Sequence, residues 1–445
     1  MKLLVRWLCH FRQTALAHRV SAFHFAMATV LAVLALGVQA ATPDPHPRQP
    51  SRAHWVGSWA AAPLDFRELA ANPAVAHKPA PGGDQFRGQT LRQQLAPSIG
   101  GERIRIRFSN RFGKAPLRIA AASVARSTGA DAISPASLRV LRFGGRGSLT
   151  IAPGAEAWSD GVDLAVEAGQ TVAVSAFFDR ATPYATVHLL NIDTSWAAPG
   201  NAVAAAKLPG AMPLAQNHIV TGLDVLTTRS VRMVVAFGDS ITAGAGEAGD
   251  GAYPDMLATR LRDGPQAQHG VAVLNAGIGG NRLLLDGIGP NGLSRFARDA
   301  LGQSGVTHTL VLLGTNDIGR RAFIGAPGNP DTPRDAPTAE RITDGLHQLV
   351  KQARAKGIKV LIGTVPPFKG TPYWNEGNEA MRSAVNRWIR SRQDVDGVID
   401  FDAALRDPAD PQALDPRLHN GDHLHPNKAG HAAMAAAIDL KELKE

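Results

Sequence analysis

At Arg229 the chain changes its pattern, and everything downstream must fold differently from what precedes it. Val231 to Phe237, Val271 to Asn275, Thr309 to Leu313, Lys359 to Thr364 and Gly397 to Phe401 are short apolar segments that read as strands. Between them lie helical patterns, from about Tyr253 to Arg262, Ala339 to Ala355 and Asn378 to Arg392, with a last one from about Lys428. In the longest, Ile342, Leu346, Leu349, Val350 and Ala353 recur on one face. Strands apolar throughout must be covered on both sides, which predicts a parallel sheet between helices, an α/β fold. Such sheets bind ligands beyond the carboxyl ends of their strands. Three segments of unusual chemistry fall at those ends: Gly238-Asp-Ser240, Asn275 to Asn281, and Gly314 to Asp317.

From His54 to about Leu223 the pattern is strand and turn. Glu102 to Ser109 alternates, with Ile104, Ile106 and Phe108 on one face and Arg103, Arg105 and Arg107 on the other. Val172 to Phe178 and Thr186 to Ile192 behave alike, and Gly, Pro, Asn and Asp clusters interrupt at short spacing. This predicts an all-β sandwich or jelly roll. The three arginines read as solvated edge charges. Trp55, Trp59, Trp158 and Trp196 are candidate stacking platforms for a polysaccharide, or packing residues of the sandwich or its interface.

The first forty residues carry Lys2, Arg6, Arg12 and Arg19 with no acidic residue among them, then a short apolar run, Ala26 to Gly37, then V-Q-A-A. That is the pattern of a signal peptide, with cleavage expected after Ala40. The apolar run is too short to span a bilayer comfortably, so no stable membrane anchor is expected after cleavage. The organisation expected is therefore a signal peptide at 1–40, a Pro-rich linker at 41–53, a β-sandwich at 54–225 and an α/β domain at 230–445, in a periplasmic or secreted protein. The single cysteine, Cys9, lies in the signal segment. A mature chain without cysteine excludes disulfides, thiolate catalysis and thiolate-bound zinc. The net charge of +9 comes with no Lys/Arg run dense enough to track phosphates, so no nucleic-acid partner is expected.

Serine and histidine remain the natural nucleophile and base. Asp422 and His425 stand three apart in H-N-G-D-H-L-H-P-N-K-A-G-H, His419 to His431. At that spacing a carboxylate in a turn reaches imidazole Nδ1 and leaves Nε2 toward a nucleophile. The same segment admits two other readings. Asp422, His423, His425 and His431 are all metal-ligand types, but Pro426 and Gly421 deny them a shared helix face, and the glutamate of a zinc-protease motif is missing. Asp422 could also simply cap the helix that follows. The Gly-rich Asn275 to Asn281 lets backbone N–H groups approach a ligand closely, and it lacks the G-x-G-x-x-G order of a nucleotide loop. Leu312 to Asp317 ends a strand with a carboxamide, although Gly-Thr-Asn-Asp is also an ordinary turn.

Taken in order, F-G-D-S-I-T, N-A-G-I-G-G-N, L-G-T-N-D and D-H-L-H-P-N resemble the four blocks of the SGNH (GDSL-type) hydrolase family, over roughly Val231 to Leu440. The resemblance implies a flavodoxin-like three-layer sandwich with a shallow site. It implies Ser240 as nucleophile, His425 as base and Asp422 as the residue orienting it. The oxyanion donors would be the N–H groups of Ser240 and Gly280 and the side chain of Asn316. Asp239, Asn281 and Asp317 are supporting residues, with Asp239 and Asp317 expected to be structural. No cofactor and no metal are needed. The stretch G-I-G-G-N-R-L-L-L-D-G-I-G-P, with the β-rich half, is most similar to a secreted two-domain subgroup grouped with xylan-degrading acetylesterases. It implies a short acyl ester, acetyl first, on a carbohydrate. The alternative is a lysophospholipase or lipase-like enzyme, with Leu283, Leu284, Leu285 and Phe296 lining an acyl groove or packing as a helix. The α/β-hydrolase elbow G-x-S-x-G is absent, because Thr242 stands where its last Gly would be.

Overall fold

The structure is a computed structural model that describes residues 52–71, 83–189, 195–245, 251–264, 270–325 and 331–443. The expected signal peptide, its cleavage point, Cys9 and nearly all of the linker lie outside these residues. No helix among the described residues is long and apolar enough to cross a membrane.

The amino-terminal half is antiparallel. Its longer strands are β1 (His54–Ala60), β2 (Gln89–Leu95), β3 (Gly101–Ser109), β4 (Ala121–Gly129), β5 (Val172–Phe178), β6 (Ser195–Pro199) and β7 (Val220–Thr227). One sheet runs β1–β7–β3, with Glu156–Trp158 and Val162–Val166 also pairing with β3. A second is built on β6–β2–β5–β4. The alternation on β3 is realised as burial of Ile104, Ile106 and Phe108 in a core shared with Leu91, Val124 and Val174 of the second sheet. The strand expected over Thr186 to Ile192 stops at His188.

Of the three arginines of β3, Arg103 is solvated as expected, but Arg105 and Arg107 are covered. Arg105 lies between the rings of Trp55 and Trp158, 4.7 and 4.4 Å from their centroids, and pairs with Asp224 at 2.6 Å. Arg107 bonds the carbonyl of Thr221 at 2.9 Å and reaches Gln303, and Arg103 pairs with Asp163. Period two sorts side chains onto faces, but it does not say what covers a face. Here the cover is the residue pair Gln303 and Ser304 of the carboxy-terminal half, with Ser304 donating to Asp224 at 2.7 Å. Burial pushes the Asp224 carboxyl up against these bonds. Trp55 and Trp158 thus sandwich a cation, and Trp196 is buried.

The carboxy-terminal half contains β8 (Arg232–Gly238), β9 (Val271–Gly277), β10 (His308–Leu312), β11 (Lys359–Gly363) and β12 (Gly397–Ile399), all parallel, in the order β9–β8–β10–β11–β12. Along β8 the side chains alternate between two cores. Met233, Val235 and Phe237 join one, and Val234 and Ala236 join the other. Helices α1 (Ser240–Ala243), α2 (Tyr253–Asp263), α3 (Gly292–Asp299), α4 (Thr315–Arg320), α5 (Ala339–Arg354), α6 (Glu376–Arg390), α7 (Phe401–Leu405) and α8 (Lys428–Ala437) connect the strands. The face expected on the longest, from Ile342 to Ala353, is buried on the first side together with Phe296 of α3 and Val385 of α6. Leu257 of α2, Phe401 of α7 and Met434 of α8 cover the second. Thr338 caps α5 and Asn375 caps α6 through their side-chain oxygens.

The two halves pack closely, and residues 51–445 form one compact unit. The Gly57 N–H of β1 donates to the Ser304 carbonyl at 2.9 Å. A Cβ on Gly57 would come within 2.8 Å of Met233 Cε and 3.1 Å of Leu274 Cδ1, so β1 packs closely on the carboxy-terminal half at this point. The strand order places a switch of direction between β8 and β10, and the crevice at their carboxyl ends is where such a sheet offers a site.

Candidate active site

Strand β8 ends at Gly238 and the chain turns at once into α1. A Cβ on Gly238 would lie 2.0 Å from Thr242 Oγ1 and 2.7 Å from the Leu312 carbonyl oxygen. Only glycine lets the helix fold back onto the strand ends so tightly. Asp239 caps α1, its Oδ1 accepting from the Ile241 N–H at 3.0 Å. Ser240 is the next residue, 8% exposed, at the edge of the crevice.

The loop after β9 forms a second wall. Asn275 donates to the Thr242 carbonyl at 2.8 Å and accepts from Gly277 N–H at 2.9 Å, tying this loop to α1. Gly280 adopts a left-handed φ of 68°, and a Cβ there would meet Ile288 Cδ1 at 2.6 Å. Asn281 is held by Pro290 O at 2.8 Å and by Arg295 Nε at 2.9 Å. From the next strand end, α4 carries Asn316. Its Nδ2 donates to Asp239 Oδ2 at 3.3 Å and to Asn281 O at 3.1 Å, and its Oδ1 accepts from Tyr373 OH at 2.9 Å. Asp317 accepts from the N–H groups of Leu283 and Leu284 at 2.7 and 3.0 Å.

The turn before α8 completes the crevice. Asp422 Oδ1 accepts from Leu424 N–H at 2.9 Å and His425 N–H at 2.8 Å, while Oδ2 meets His425 Nδ1 at 2.6 Å. His425 Nε2 lies 2.9 Å from Ser240 Oγ. His423, at φ 61°, makes the reversal that lets one carboxylate bond both N–H groups and the ring. Asp422 does not cap α8; Asn427 does, accepting from Gly430 N–H at 3.0 Å. His419 Nδ1 accepts from Gly421 N–H at 3.0 Å. Among the described residues no three His, Cys, Asp or Glu side chains are placed to hold a metal ion.

Burial works against charge on Asp422, but the bonds from the His425 N–H, its ring and the Leu424 N–H outweigh it. The carboxyl sits below its ordinary value, so it is an anion beside Nδ1. Asp239 and Asp317 are the opposite case. Full burial pushes Asp239 up to about 7, with the nearby Asp317 charge adding to it, and pushes Asp317 up to about 6. Of the three carboxylates, Asp422 is the one held ionised and touching the imidazole.

Arg295 and Tyr373 carry no signal in the sequence, and His431 is read there only as a metal-ligand type. Arg295 is fully buried beneath the crevice. It bonds Gly238 O at 2.7 Å, Ala276 O at 2.8 Å and Asn281, and its guanidinium lies 4.0 Å over the Phe237 ring. It thereby ties together the ends of β8 and β9 and the loop after β9. Burial lowers its pKa to about 10, so it remains a cation. Tyr373 comes from the loop before α6, and Gly319 leaves room for its ring, since a Cβ there would lie 1.9 Å from Tyr373 Cδ2. His431 is buried without a partner on either ring nitrogen; burial, and then the charge of His425, push it down to about 4. Leu283 and Phe296 are core residues, and Leu283 to Leu285 are not helical.

Residues 236–433 match the model of the GDSL-like lipase/acylhydrolase family. An uncharacterized esterase of Bacillus subtilis (strain 168), YxiM, is 28% identical over 125 residues, which cover 26% of this chain and 31% of that relative. The match thus spans about a third of that protein's length. Among solved structures, the acetylxylan esterase Axe2 of Geobacillus stearothermophilus is similar at 21% identity and a TM-score of 0.36, over 48% of this chain and 94% of that one. A GDSL-like lipase of Bacteroides thetaiotaomicron VPI-5482 is similar at 17% identity and a TM-score of 0.35, over 48% of this chain and 89% of that one.

Proposed function

We propose that this chain, whose residues 236–433 belong to the GDSL-like lipase/acylhydrolase family, and which is a carboxylic ester hydrolase, removes short acyl groups, acetyl above all, from a carbohydrate. The observation that carries the reading is the continuous relay from Asp422 through His425 to Ser240, at 2.6 and 2.9 Å. His425 Nε2 takes the proton as Ser240 Oγ attacks the ester carbonyl, and Asp422 holds the ring and offsets its charge. The alcohol leaves with the proton from His425, giving an acyl-serine that water, activated in the same way, hydrolyses. The N–H groups of Ser240 and Gly280 and Asn316 Nδ2 stabilise the oxyanion. Both bonds that Nδ2 makes in the free protein are long, at 3.1 and 3.3 Å, so it turns toward a developing negative charge at little cost.

The short acyl group is supported by Ile288 closing over Gly280 and by the burial of Leu283 and Phe296, which removes two side chains a long acyl groove would use. The carbohydrate rests on the G-I-G-G-N-R-L-L-L-D-G-I-G-P stretch and the β-rich half preceding the hydrolase domain. Export to the periplasm or the medium follows from the pattern of residues 1–40, and the division at 54–225 and 230–445 from the change of pattern at Arg229. The test compares acetate release from acetylated xylan with fatty-acid release from a lysophospholipid. Acetate release is expected; fatty-acid release alone overturns the substrate assignment.

A further inference from the structure

The buried arginines of the carboxy-terminal half are held by their own chain. Arg282 is bonded by Asp331 and the Asp286 carbonyl, Arg295 by three acceptors at the strand ends, and Arg382 by Glu379 and Asp402. Arg320 is different. It ends α4, four residues after Asn316, so the two side chains leave the same helix face about one turn apart. Among the described residues no carboxylate or carbonyl holds its half-buried side chain, and its Nε, like that of Arg282, is buried without a hydrogen-bond partner. It lines a crevice with Arg282, Arg321 and three carboxylates, Asp317, Asp331 and Asp335. Each of those carboxylates is already engaged: Asp317 by the Leu283 and Leu284 N–H groups, Asp331 by Arg282, and Asp335 by the N–H and hydroxyl of Thr332.

Two further features adjoin it. Phe323, 37% exposed, stands edge-to-face on Tyr373 at 6.0 Å, and Tyr373 is the residue that bonds Asn316. Arg321 and Ile324 pass from the crevice into an open groove of about 400 Å³ that Asn375 and Asn378 also line. A half-buried guanidinium without an ion-pair partner, an exposed aromatic ring and two amide side chains therefore lie near the oxyanion amide. A guanidinium pairs with a carboxylate through two parallel bonds, and an aromatic ring accepts the apolar face of a sugar.

We propose that Arg320 binds a carboxylate on the alcohol portion of the ester, so that the preferred substrate is an acylated, uronic-acid-bearing oligosaccharide. The proposal rests on the carbohydrate esterase reading above and adds the charge of the sugar to it. Arg320 is a specificity residue here: it holds the leaving-group sugar and takes no part in the acyl chemistry.

The test uses the full chain and two matched polymers, acetylated glucuronoxylan and the same polymer with its carboxyl groups reduced to alcohols. The native enzyme is expected to favour the acidic polymer in kcat/KM about tenfold, mainly through KM, with the preference shrinking as salt is added. In Arg320→Met the ratio between the two polymers is expected to fall to about one, and in Arg320→Lys to lie between. Using a ratio makes the result independent of any general loss of activity in the variants. Equal rates on both polymers with the native enzyme, or an undiminished ratio in Arg320→Met, overturns the proposal while leaving the esterase reading intact. Turnover of lysophospholipid and of neither polymer overturns both.

Discussion

Replacing Arg295 by methionine removes a side chain that joins the ends of β8 and β9 under the candidate site. The volume is nearly kept, so the effect comes from the polar groups left behind. Ala276 O and Asn281 Oδ1 lose donors at 2.8 and 2.9 Å in a fully buried setting, while Gly238 O loses one at 2.7 Å and keeps the Ile278 N–H at 3.1 Å. Each buried acceptor left without a partner costs about 1–3 kcal/mol. Asp299 is buffered, because Arg298 still reaches it at 2.5 and 2.8 Å. Allowing for partial relaxation, the expected loss is about 3–5 kcal/mol, the range for breaking a buried charged network from one side. Against a total of about 5–15 kcal/mol this is a large fraction. Urea unfolding followed by far-UV circular dichroism reads it as a lower midpoint. Turnover of 4-nitrophenyl acetate falls in the same variant, because Asn281 and the strand ends that carry Ser240 and Gly280 lose their common tie. Lysine at 295 recovers only part of either loss, since one ammonium does not match three acceptors set for a fork. A stability change below about 1 kcal/mol in Arg295→Met would refute the assignment of Arg295 as the tie.

The raised carboxyl of Asp239, about 7 in the fold against an ordinary 3.8, means the folded chain holds that proton more tightly than the unfolded one. Its contribution is complete below about pH 4 and is lost as pH rises to about 7. The Asp239→Asn variant should therefore lose less stability than the native chain between those limits, and parallel pH–stability curves would contradict this. Tyr373→Phe removes the bond to Asn316 Oδ1, and kcat is expected to fall about 3- to 10-fold with KM unchanged, the worth of one neutral hydrogen bond; a change confined to KM would place Tyr373 in substrate binding instead. Asp422→Asn leaves a side chain of the same shape but no anion beside Nδ1, and kcat should fall by roughly three orders of magnitude, read by steady-state kinetics on 4-nitrophenyl acetate; a loss under tenfold would remove Asp422 from the relay.

Period and polarity carry far in this chain. Ile104, Ile106 and Phe108 face a core because alternate residues of a strand share a side, and Ile342, Leu346, Leu349, Val350 and Ala353 of the longest helix are buried because 3.6-residue spacing puts them on one face. The strand-end positions of Ser240, Asn281, Asn316 and Asp317 were also legible, since apolar strands ending in Gly-Asp-Ser, Gly-Gly-Asn and Gly-Thr-Asn-Asp mark one edge of one sheet. What local pattern does not hold is the identity of a partner brought from elsewhere. Arg105 reads as an edge charge until Ser304 and two tryptophans from distant segments enclose it. Arg295 sits in a helical stretch where hydropathy would place an arginine outside, and only the two strand ends above it explain its burial. Tyr373 meets Asn316 across 57 residues of sequence, and nothing near either residue announces the other. The leucines at 283–285 are not helical, and the N–H groups of Leu283 and Leu284 go to the buried Asp317 carboxylate, a partner supplied from another strand end.

The central claim is that Ser240 forms the acyl bond. Intact-protein mass spectrometry after treatment with a serine-directed fluorophosphonate tests it most directly, with peptide mapping to find the site and Ser240→Ala as the comparison. The account predicts one adduct, on Ser240, with turnover of 4-nitrophenyl acetate lost in step with labelling, and neither label nor turnover in the alanine variant. An adduct on another residue, or turnover in Ser240→Ala close to that of the native chain, would contradict it.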